Sequence, residues 1–259
     1  MSEPLRVAIL AGEVSGDHLA GALMGALNAL RPVEWRGVGG ETDDALIDVG
    51  AESTRPGASV VSAQEQLKRL LPVVDRLACR LTIPISVDTS HAAVAEAVIE
   101  SGASLINDVT ALKDPKMPAV IAASGLPVIL MHMRGTPRTM QRFVKYRRLL
   151  PEIVQELKLS LKRALAAGIA GNRILIDPGI GFAKDAQQSL SILKNLSVLK
   201  KLGFPLVVGP SRKSFIGKVL QAPVEERLFG TAAAVALSVA NGADLIRVHD
   251  VKVMRQVAD

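Results

Sequence analysis

The chain has 259 residues, of which 49% are hydrophobic and 22% charged, proportions typical of a folded globular protein and not of a disordered one. Its single cysteine, Cys79, excludes an internal disulfide framework and a multi-cysteine metal site, and predicts a reducing, cytoplasmic location. The net charge of +6 suits anionic small-molecule substrates, but the basic residues form no long arm or aromatic-rich patch, so we expect no nucleic-acid partner. No apolar run approaches the roughly 20 residues of a membrane span, and we expect no membrane partner.

The sequence alternates short apolar runs with longer amphipathic stretches. Continuous apolar runs are typical of buried parallel strands, which helices connect. Because many runs end in polar or glycine-rich loops, we predict an α/β fold of the (β/α)₈ TIM-barrel type, with its site at the carboxyl ends of the strands. The predicted strands are 6–10, 35–38, 46–49, 83–87, 105–109, 128–131, 174–176, 206–208 and 245–248. The predicted helices are 18–30, 63–77, 92–100, 150–167, 189–201, 212–220 and 226–240.

Nine predicted strands are one more than an eight-stranded barrel needs, and the surplus lies before residue 50. Strands 35–38 and 46–49 follow each other without a helix, whereas parallel neighbours need a connection of about a dozen residues. Segment 33–45 is therefore a distorted connector, an antiparallel addition or a non-native junction. We predict a single barrel domain over 1–259 with an atypical β-α-β start.

Polar side chains at several strand ends would meet in one pocket of such a barrel. Asp88, Asn107 and Asp177 offer oxygen acceptors to the N–H groups of an amino-pyrimidine edge, and such charge-assisted bonds are strong. Lys213 supplies a donor for a ring oxygen or nitrogen. The alternatives are that Asp177 only initiates a turn before Pro-Gly and that Asp88 and Asn107 cap the helices that follow.

A second group of strand-end residues is basic. Arg55, Arg247 and His249 form a cationic set suited to phosphate, unless they are simply solvated charges. Ser211 precedes the predicted helix 212–220, whose start would hold another anion or would only be capped by the serine. The implied ligands are a polar heterocycle, a diphosphate and a carboxylate.

Seven ordered motifs lie at these strand ends. They are 47–57 (IDVGAESTRPG), 85–89 (ISVDT), 106–108 (IND), 131–135 (MHMRG), 176–182 (IDPGIGF), 209–213 (GPSRK) and 246–250 (IRVHD). Their order and spacing make the set far more specific than any single glycine pattern. The set resembles the dihydropteroate synthase family, and the resemblance covers residues 45–259.

This resemblance implies an enzyme that joins a dihydropterin-methyl diphosphate to p-aminobenzoate, with Mg²⁺ as cofactor on the departing diphosphate. It implies a loose, cation-like transition state in which positive groups stabilise the leaving charge, so no side-chain nucleophile is needed. It also implies a homodimer. Carried over by motif, the pterin residues are Asp88, Asn107, Asp177 and Lys213; the diphosphate residues are Arg55, Arg247 and His249; the aminobenzoate residues are Thr54, Pro56, Phe182, Ser211 and again Lys213. The predicted catalytic residues are Arg55, Lys213, Arg247 and His249.

The resemblance stops before residue 45. The family's first strand ends in a loop of the type Asn-Val-Thr-Pro-Asp-Ser-Phe-Ser, whose Asn is the expected Mg²⁺–diphosphate ligand, and this chain lacks that loop. Residues 5–40, with the run AGEVSGD at 11–17, instead resemble the β-α-β start of lipid-A-disaccharide synthase. The chain is therefore predicted to be a chimera, natural or engineered. Strand 6–10 would take the missing first-strand position, with helix 18–30 covering it.

The missing loop leaves three hypotheses open. The chain is an active dihydropteroate synthase, or it binds the pterin without efficient catalysis. The third hypothesis is a recombined scaffold without either activity.

Overall fold

The computed structural model describes the backbone of residues 6–13 and all atoms of residues 46–259. Within these residues eight parallel strands form one sheet, which confirms the predicted barrel. They are β1 (Arg6–Glu13), β2 (Ile47–Gly50), β3 (Ile85–Asp88), β4 (Leu105–Asp108), β5 (Val128–Met131), β6 (Ile174–Asp177), β7 (Val207–Val208) and β8 (Leu245–Val248). Their order is β6-β5-β4-β3-β2-β1-β8-β7, and a parallel bridge between Ile176 and Leu206 closes the barrel.

Strand β1 confirms the hypothesis for the first barrel position. It pairs in parallel with β2, where Ile9 lies opposite Ile47, and with β8, where Arg6 lies opposite Leu245. The predicted strand 35–38 and the predicted helix 18–30 lie outside the described residues.

Nine α-helices follow strands in the described part of the chain. They are α1 (Ala63–Ala78), α2 (Ala92–Glu100), α3 (Met117–Ser124), α4 (Leu149–Ala166), α5 (Ala186–Lys194), α6 (Leu196–Lys200), α7 (Ser214–Leu220), α8 (Leu228–Ala240) and α9 (Val251–Ala258). The first residue of α1 is capped by Ser62, whose hydroxyl accepts from the Glu65 amide, and α5 begins with a capping box of Asp185 and Gln188. None of these helices is long and apolar enough to cross a membrane.

Two helix predictions need correction, and two helices were not predicted. The predicted helix 189–201 is two helices, because the backbone leaves helical geometry at Asn195 (φ −121°), whose side chain donates to the carbonyl of Ser191. The predicted helix 212–220 begins at Ser214, because Arg212 takes a left-handed conformation (φ 54°). Helices α3 and α9 were not predicted.

The barrel interior is divided into an apolar layer and a polar layer. Alternate residues of a strand face opposite sides of the sheet, so each strand sends every second side chain inward. At the amino end Leu105, Ile129, Val207 and Leu245 form a buried cluster, against which the partly buried Leu46 and Leu175 pack. Two residues further along the strands, the same inward positions carry Asp48, Asn107, Met131, Asp177, Gly209 and Arg247. The strand pattern itself therefore places a polar layer at the carboxyl ends.

Candidate active site

Asp48 is the centre of the polar layer. Its Oδ2 accepts hydrogen bonds from Arg247 Nε at 2.7 Å and Asn107 Nδ2 at 3.4 Å, and its Oδ1 accepts from Ser86 Oγ at 2.5 Å. The side chain is only 5% exposed. One buried carboxylate thus joins β2, β3, β4 and β8 and fixes the direction of the Arg247 guanidinium. The sequence analysis assigned Asp48 no role, although a carboxylate within an apolar strand is a recognisable signal.

Three carboxylates surround that guanidinium. Burial lowers the pKa of Arg247, but the carboxylates of Asp48, Asp88 and Asp177 together raise this pKa by more, so the net shift is upward. Asp88 is buried at the end of β3, against Gly50. Neither Asp88 nor Asn107 caps a helix, because His91 precedes α2 and α3 begins only at Met117.

Asp177, with Lys213 beside it, forms the second half of the layer. Burial raises the pKa of Asp177, whereas Lys213 and the amide of Gly179 oppose this rise. Removal of the Lys213 ammonium from water lowers its pKa to about 8, although the Asp177 carboxylate partly counteracts that effect. Lys213 Nζ lies 4.6 Å from the centre of the Phe182 ring and donates to the carbonyl of Ile180.

The turn interpretation of Asp177 is also correct. Its Oδ1 accepts from the Gly179 amide at 2.6 Å, which is the hydrogen bond of an aspartate-initiated turn. The carboxylate therefore supports its own loop and still lies within electrostatic reach of Lys213 and Arg247. Of the four predicted pterin residues, Asn107 and Asp177 lie in this layer, and Asp88 and Lys213 lie beside it, within electrostatic reach of Arg247.

His249 and Ser211 form a pair beside the layer. Ser211 Oγ lies 2.8 Å from His249 Nδ1 and accepts from the His249 amide at 3.1 Å. Burial lowers the pKa of His249 to about 4, and the positive charges of Arg247 and Arg212 add to this effect. His249 is therefore a neutral imidazole at pH 7, not the cation that the sequence analysis assumed, and an anion bound beside it would raise the pKa.

Ser211 does not begin a helix as predicted. Lys213 occupies the position before α7, which is only seven residues long, and Ser211 bonds His249 instead. The nearby Arg212 forms a two-bond ion pair with Asp250, which ties the loop after β7 to the loop after β8.

The loop after β2 is built differently. Arg55 and Pro56 are exposed and Thr54 is half-buried, so the structure does not bring them into the polar layer. Arg55 and Pro56 line an open cavity of about 390 Å³, and the Gly57 amide donates to the carbonyl of Pro137 at 3.2 Å. The positive charge of Arg55 still contributes to the lowered pKa of His249, so the loop faces the His249 end of the site.

A buried network behind the layer was missed by sequence reasoning. Lys184 is 3% exposed, and its Nζ contacts His132 Nδ1 at 2.9 Å and donates to the carbonyl of Phe182 at 2.8 Å. His132 Nε2 lies 3.0 Å from Glu156, which also pairs with Arg134. The motif that contains His132 was recognised, but nothing in the sequence marks Lys184 as buried.

The described donors do not form a protein-held metal site. Residues 6–13 and 46–259 contain no group of three or more His, Cys, Asp or Glu side chains suited to a metal ion. The carboxylates of Asp48 and Asp177 already accept hydrogen bonds from Arg247, Ser86 and Gly179. Mg²⁺ usually keeps several waters and binds through substrate phosphates, so a substrate-borne ion fits these residues better than a caged one.

Comparison with known proteins agrees with the geometry. A family model described as "Pterin binding enzyme" matches residues 44–249. The chain is 47% identical over 214 residues to a dihydropteroate synthase of Synechocystis sp., with 82% of this chain and 74% of the relative covered. It is 44% identical to a dihydropteroate synthase of Bacillus subtilis, with 82% of this chain and 73% of the relative covered.

Solved structures give the same result. The Yersinia pestis dihydropteroate synthase in a sulfonamide drug complex is 37% identical and superposes with a TM-score of 0.85, covering 98% of this chain and 92% of that one. The Thermus thermophilus enzyme in complex with 4-aminobenzoate is 35% identical with a TM-score of 0.82, covering 98% and 92%. The eight-stranded barrel, the polar layer and these relatives agree: the chain belongs to the dihydropteroate synthase family of pterin-binding enzymes.

Proposed function

We propose that this chain condenses 6-hydroxymethyl-7,8-dihydropterin diphosphate with p-aminobenzoate and releases diphosphate, a step of folate biosynthesis. The observation that carries the proposal is the polar layer, in which carboxylates and an amide lie beside a lysine and an arginine at the carboxyl ends of the strands. This arrangement offers acceptors for an amino-pyrimidine and positive charge for an anion in the same pocket.

The pterin end of the reaction uses the acidic residues. The carboxylates of Asp88 and Asp177 and the amide oxygen of Asn107 accept hydrogen bonds from the amino and ring N–H groups of the pterin. Lys213 donates to a ring acceptor. Since these groups are already held by the barrel, the methylene carbon that reacts is positioned with little loss of side-chain freedom.

The diphosphate end uses Arg55, Arg247 and His249. The amine nitrogen of p-aminobenzoate forms a bond to the methylene carbon as the bond from that carbon to the diphosphate oxygen breaks. The amine then releases a proton, and the diphosphate departs with the bonding electrons. Guanidinium groups beside the departing oxygens stabilise the charge that grows on them.

Two further elements of the reaction are proposals. The second substrate lies among Thr54, Pro56, Phe182 and Ser211, with Lys213 between the two substrates. Mg²⁺, bound through the diphosphate, supplies additional positive charge on the leaving group. We also infer a cytoplasmic location, which the single cysteine supports.

The decisive test is dihydropteroate formation from the two substrates with Mg²⁺, with Asp177→Asn in parallel. Product that disappears in the variant supports the proposal. A soluble protein that binds the pterin diphosphate with micromolar affinity but releases no diphosphate would instead be the pterin-binding, catalytically impaired barrel. A protein that binds no pterin at all would contradict both.

We further propose that residues 1–40 come from a different protein than residues 45–259. The family model begins only at residue 44, and the segment 11–17 resembles lipid-A-disaccharide synthase. Replacing residues 1–45 with the family's own first strand and loop tests this. If residues 1–45 stand in for the family's own segment, the replacement should raise the turnover number and lower the KM for the pterin diphosphate. Unchanged kinetics would contradict the proposal.

A homodimer is proposed through the face of α7 and α8. Leu220, Phe229 and Leu237 are 48%, 85% and 52% exposed on these two helices, an apolar surface that a second copy would cover. Sedimentation of the wild type and of Phe229→Lys tests this. We expect a dimer that the variant converts to a monomer; a monomeric wild type would contradict the proposal.

A further inference from the structure

Lys184 connects two loops at the pterin end of the barrel. It follows β6 in the loop that begins at Asp177, and it reaches His132 at the end of β5, which is 52 residues away in sequence. The two strand ends also meet through their backbones, because the His132 amide donates to the carbonyl of Asp177 at 2.8 Å. Gly179 packs so closely that a Cβ there would lie 2.1 Å from the His132 oxygen.

The number of donors on Lys184 matches the number of acceptors around it. An ammonium has three N–H donors. It faces His132 Nδ1 at 2.9 Å, the carbonyl of Phe182 at 2.8 Å and the carbonyl of His132 at 3.3 Å. A neutral amine has only two donors, so one of these buried acceptors would lose its hydrogen bond.

The state of His132 agrees with a charged lysine. Burial lowers the pKa of His132 to about 4, with a contribution from Lys184, so the imidazole is neutral at pH 7. Its Nδ1 accepts from Lys184, and its Nε2 therefore carries the hydrogen that is donated to Glu156 at 3.0 Å.

We propose that Lys184 is a positioning residue: its ammonium holds the loop of residues 177–183 against His132 and thereby orients Asp177 and Phe182 toward the pterin and Lys213. The inference rests on the proposed function, because that reaction places the pterin beside Asp177 and p-aminobenzoate beside Phe182. Lys184 itself is buried behind the loop, and its Nζ bonds go to His132 and Phe182, so its effect on the pterin is indirect.

The hold on the loop depends on pH. Burial lowers the pKa of Lys184 to about 7, partly offset by Asp177. Because the pKa in the unfolded chain is near 10.5, this group makes folding more favourable as the pH rises from about 7 to 10.5. Deprotonation of Lys184 also removes one hydrogen bond from the loop of residues 177–183. The loop therefore becomes less ordered, although the free energy of unfolding of the whole protein increases. The charged and titratable groups around it are His132, Asp177, Lys213, Glu156, Arg134 and Tyr146.

The first experiment measures the dissociation constant of the pterin diphosphate by calorimetry for the wild type and Lys184→Met at pH 6 and pH 8.5. We expect the variant to bind more weakly at both pH values and the loss to be about fivefold larger at pH 6, because the wild-type ammonium has one more donor than the neutral amine present at pH 8.5. Dividing the dissociation constant of the variant by that of the wild type at each pH removes the effect of Lys213, which titrates in both proteins. Lys194→Met, an exposed lysine on α5, is the matched control and should match the wild type at both values.

Kinetics and a rescue variant separate positioning from general damage. Lys184→Met should raise the KM for the pterin diphosphate at pH 6 more than the KM for p-aminobenzoate, because only Phe182 of the second substrate's site belongs to the loop. Lys184→Arg stays charged at both pH values, so between pH 6 and pH 8.5 its affinity for the pterin should fall about fivefold less than that of the wild type. Equal weakening at both pH values, an equal rise of both KM values, or no weakening at pH 6 would overturn the proposal.

A measurement of loop opening does not depend on substrate binding. Amide hydrogen exchange of residues 179–183, corrected for the intrinsic pH effect, should reveal about fivefold more frequent opening at pH 8.5 than at pH 6 in the wild type, but a smaller change in Lys184→Arg, where only Lys213 loses its charge, whereas residues 109–113 should not change in either protein. Unchanged opening of residues 179–183 would contradict the role of the ammonium. A wild type that binds no pterin would refute the proposed function, and the exchange result would still decide whether Lys184 holds the loop.

Discussion

The loops after β6 and after β2 both face the site but are built in opposite ways. After β6, Asp177 and Lys184 are buried, the Asp177 carboxylate accepts from the Gly179 amide, and Lys184 Nζ has three partners. Gly179 lies against the His132 carbonyl, just after β5. After β2, Arg55 and Pro56 are exposed beside an open cavity. If the proposed site residues are correct, the difference means that the position of the heterocycle is fixed before binding, whereas the part that meets the charged leaving group has room to adapt.

Alanine at Gly179 tests the rigidity of the β6 loop and has the largest expected effect. Gly179 has φ +66° and no space for a Cβ, so Gly179→Ala combines backbone strain with overpacking and should destabilise the protein by about 4 kcal/mol. Gly57→Ala in the β2 loop has φ +83° but open space around it and should cost about 1 kcal/mol. Urea unfolding measures both, and equal losses would contradict the contrast between the loops.

The ion pair between Asp48 and Arg247 tests whether the polar layer depends on its contacts as strongly as the β6 loop does. Asp48→Asn removes the one carboxylate that is hydrogen-bonded to the Arg247 side chain, which is 29% exposed, and we expect a loss of about 3 kcal/mol in the free energy of unfolding. Glu65→Gln is the control near the β2 loop, because its pair with Arg69 is 27% and 40% exposed and should contribute less than about 0.5 kcal/mol. Similar losses for the two variants would show that the Asp48 pair is not special.

Sequence reasoning succeeded where chemistry coincides with a strand end. Asp88 and Asp177 directly end apolar runs, and parallel strands bring such ends together whatever the loops do. The eight described strands were predicted for the same reason, since continuous β-branched runs leave few alternatives.

Sequence reasoning failed where a property of a residue depends on partners that are distant in sequence or on a single backbone angle. A lysine between Ala183 and Asp185 resembles a solvated loop residue, and its burial follows only from His132, which belongs to another loop. The start of α7 depends on the left-handed Arg212, a non-glycine residue that gives no signal for that conformation. Asp48 was overlooked because its partner Arg247 is 199 residues away.

Asp177→Asn tests the proposed chemistry of the rigid loop without breaking the loop. The amide oxygen of asparagine can still accept from the Gly179 amide, so the turn and the free energy of unfolding should change little. The pterin loses a charge-assisted acceptor, and its affinity should fall about 30-fold, measured by calorimetry. Asp185→Asn, exposed at the start of α5, keeps a good helix cap and should bind as the wild type does.

Arg55→Gln tests the exposed loop and has the smallest expected effect. Since Arg55 is exposed, its removal should change the free energy of unfolding by less than about 0.5 kcal/mol. The KM for the pterin diphosphate should nevertheless rise about fivefold at low salt and less at high salt, because an exposed cation is screened. The affinity for a pterin without its diphosphate should not change, and Arg142→Gln, another exposed arginine, should leave both quantities unaltered. If Arg55→Gln instead weakens the two pterins equally, Arg55 orients the whole loop, and the division between a rigid pterin side and an adaptable diphosphate side is wrong.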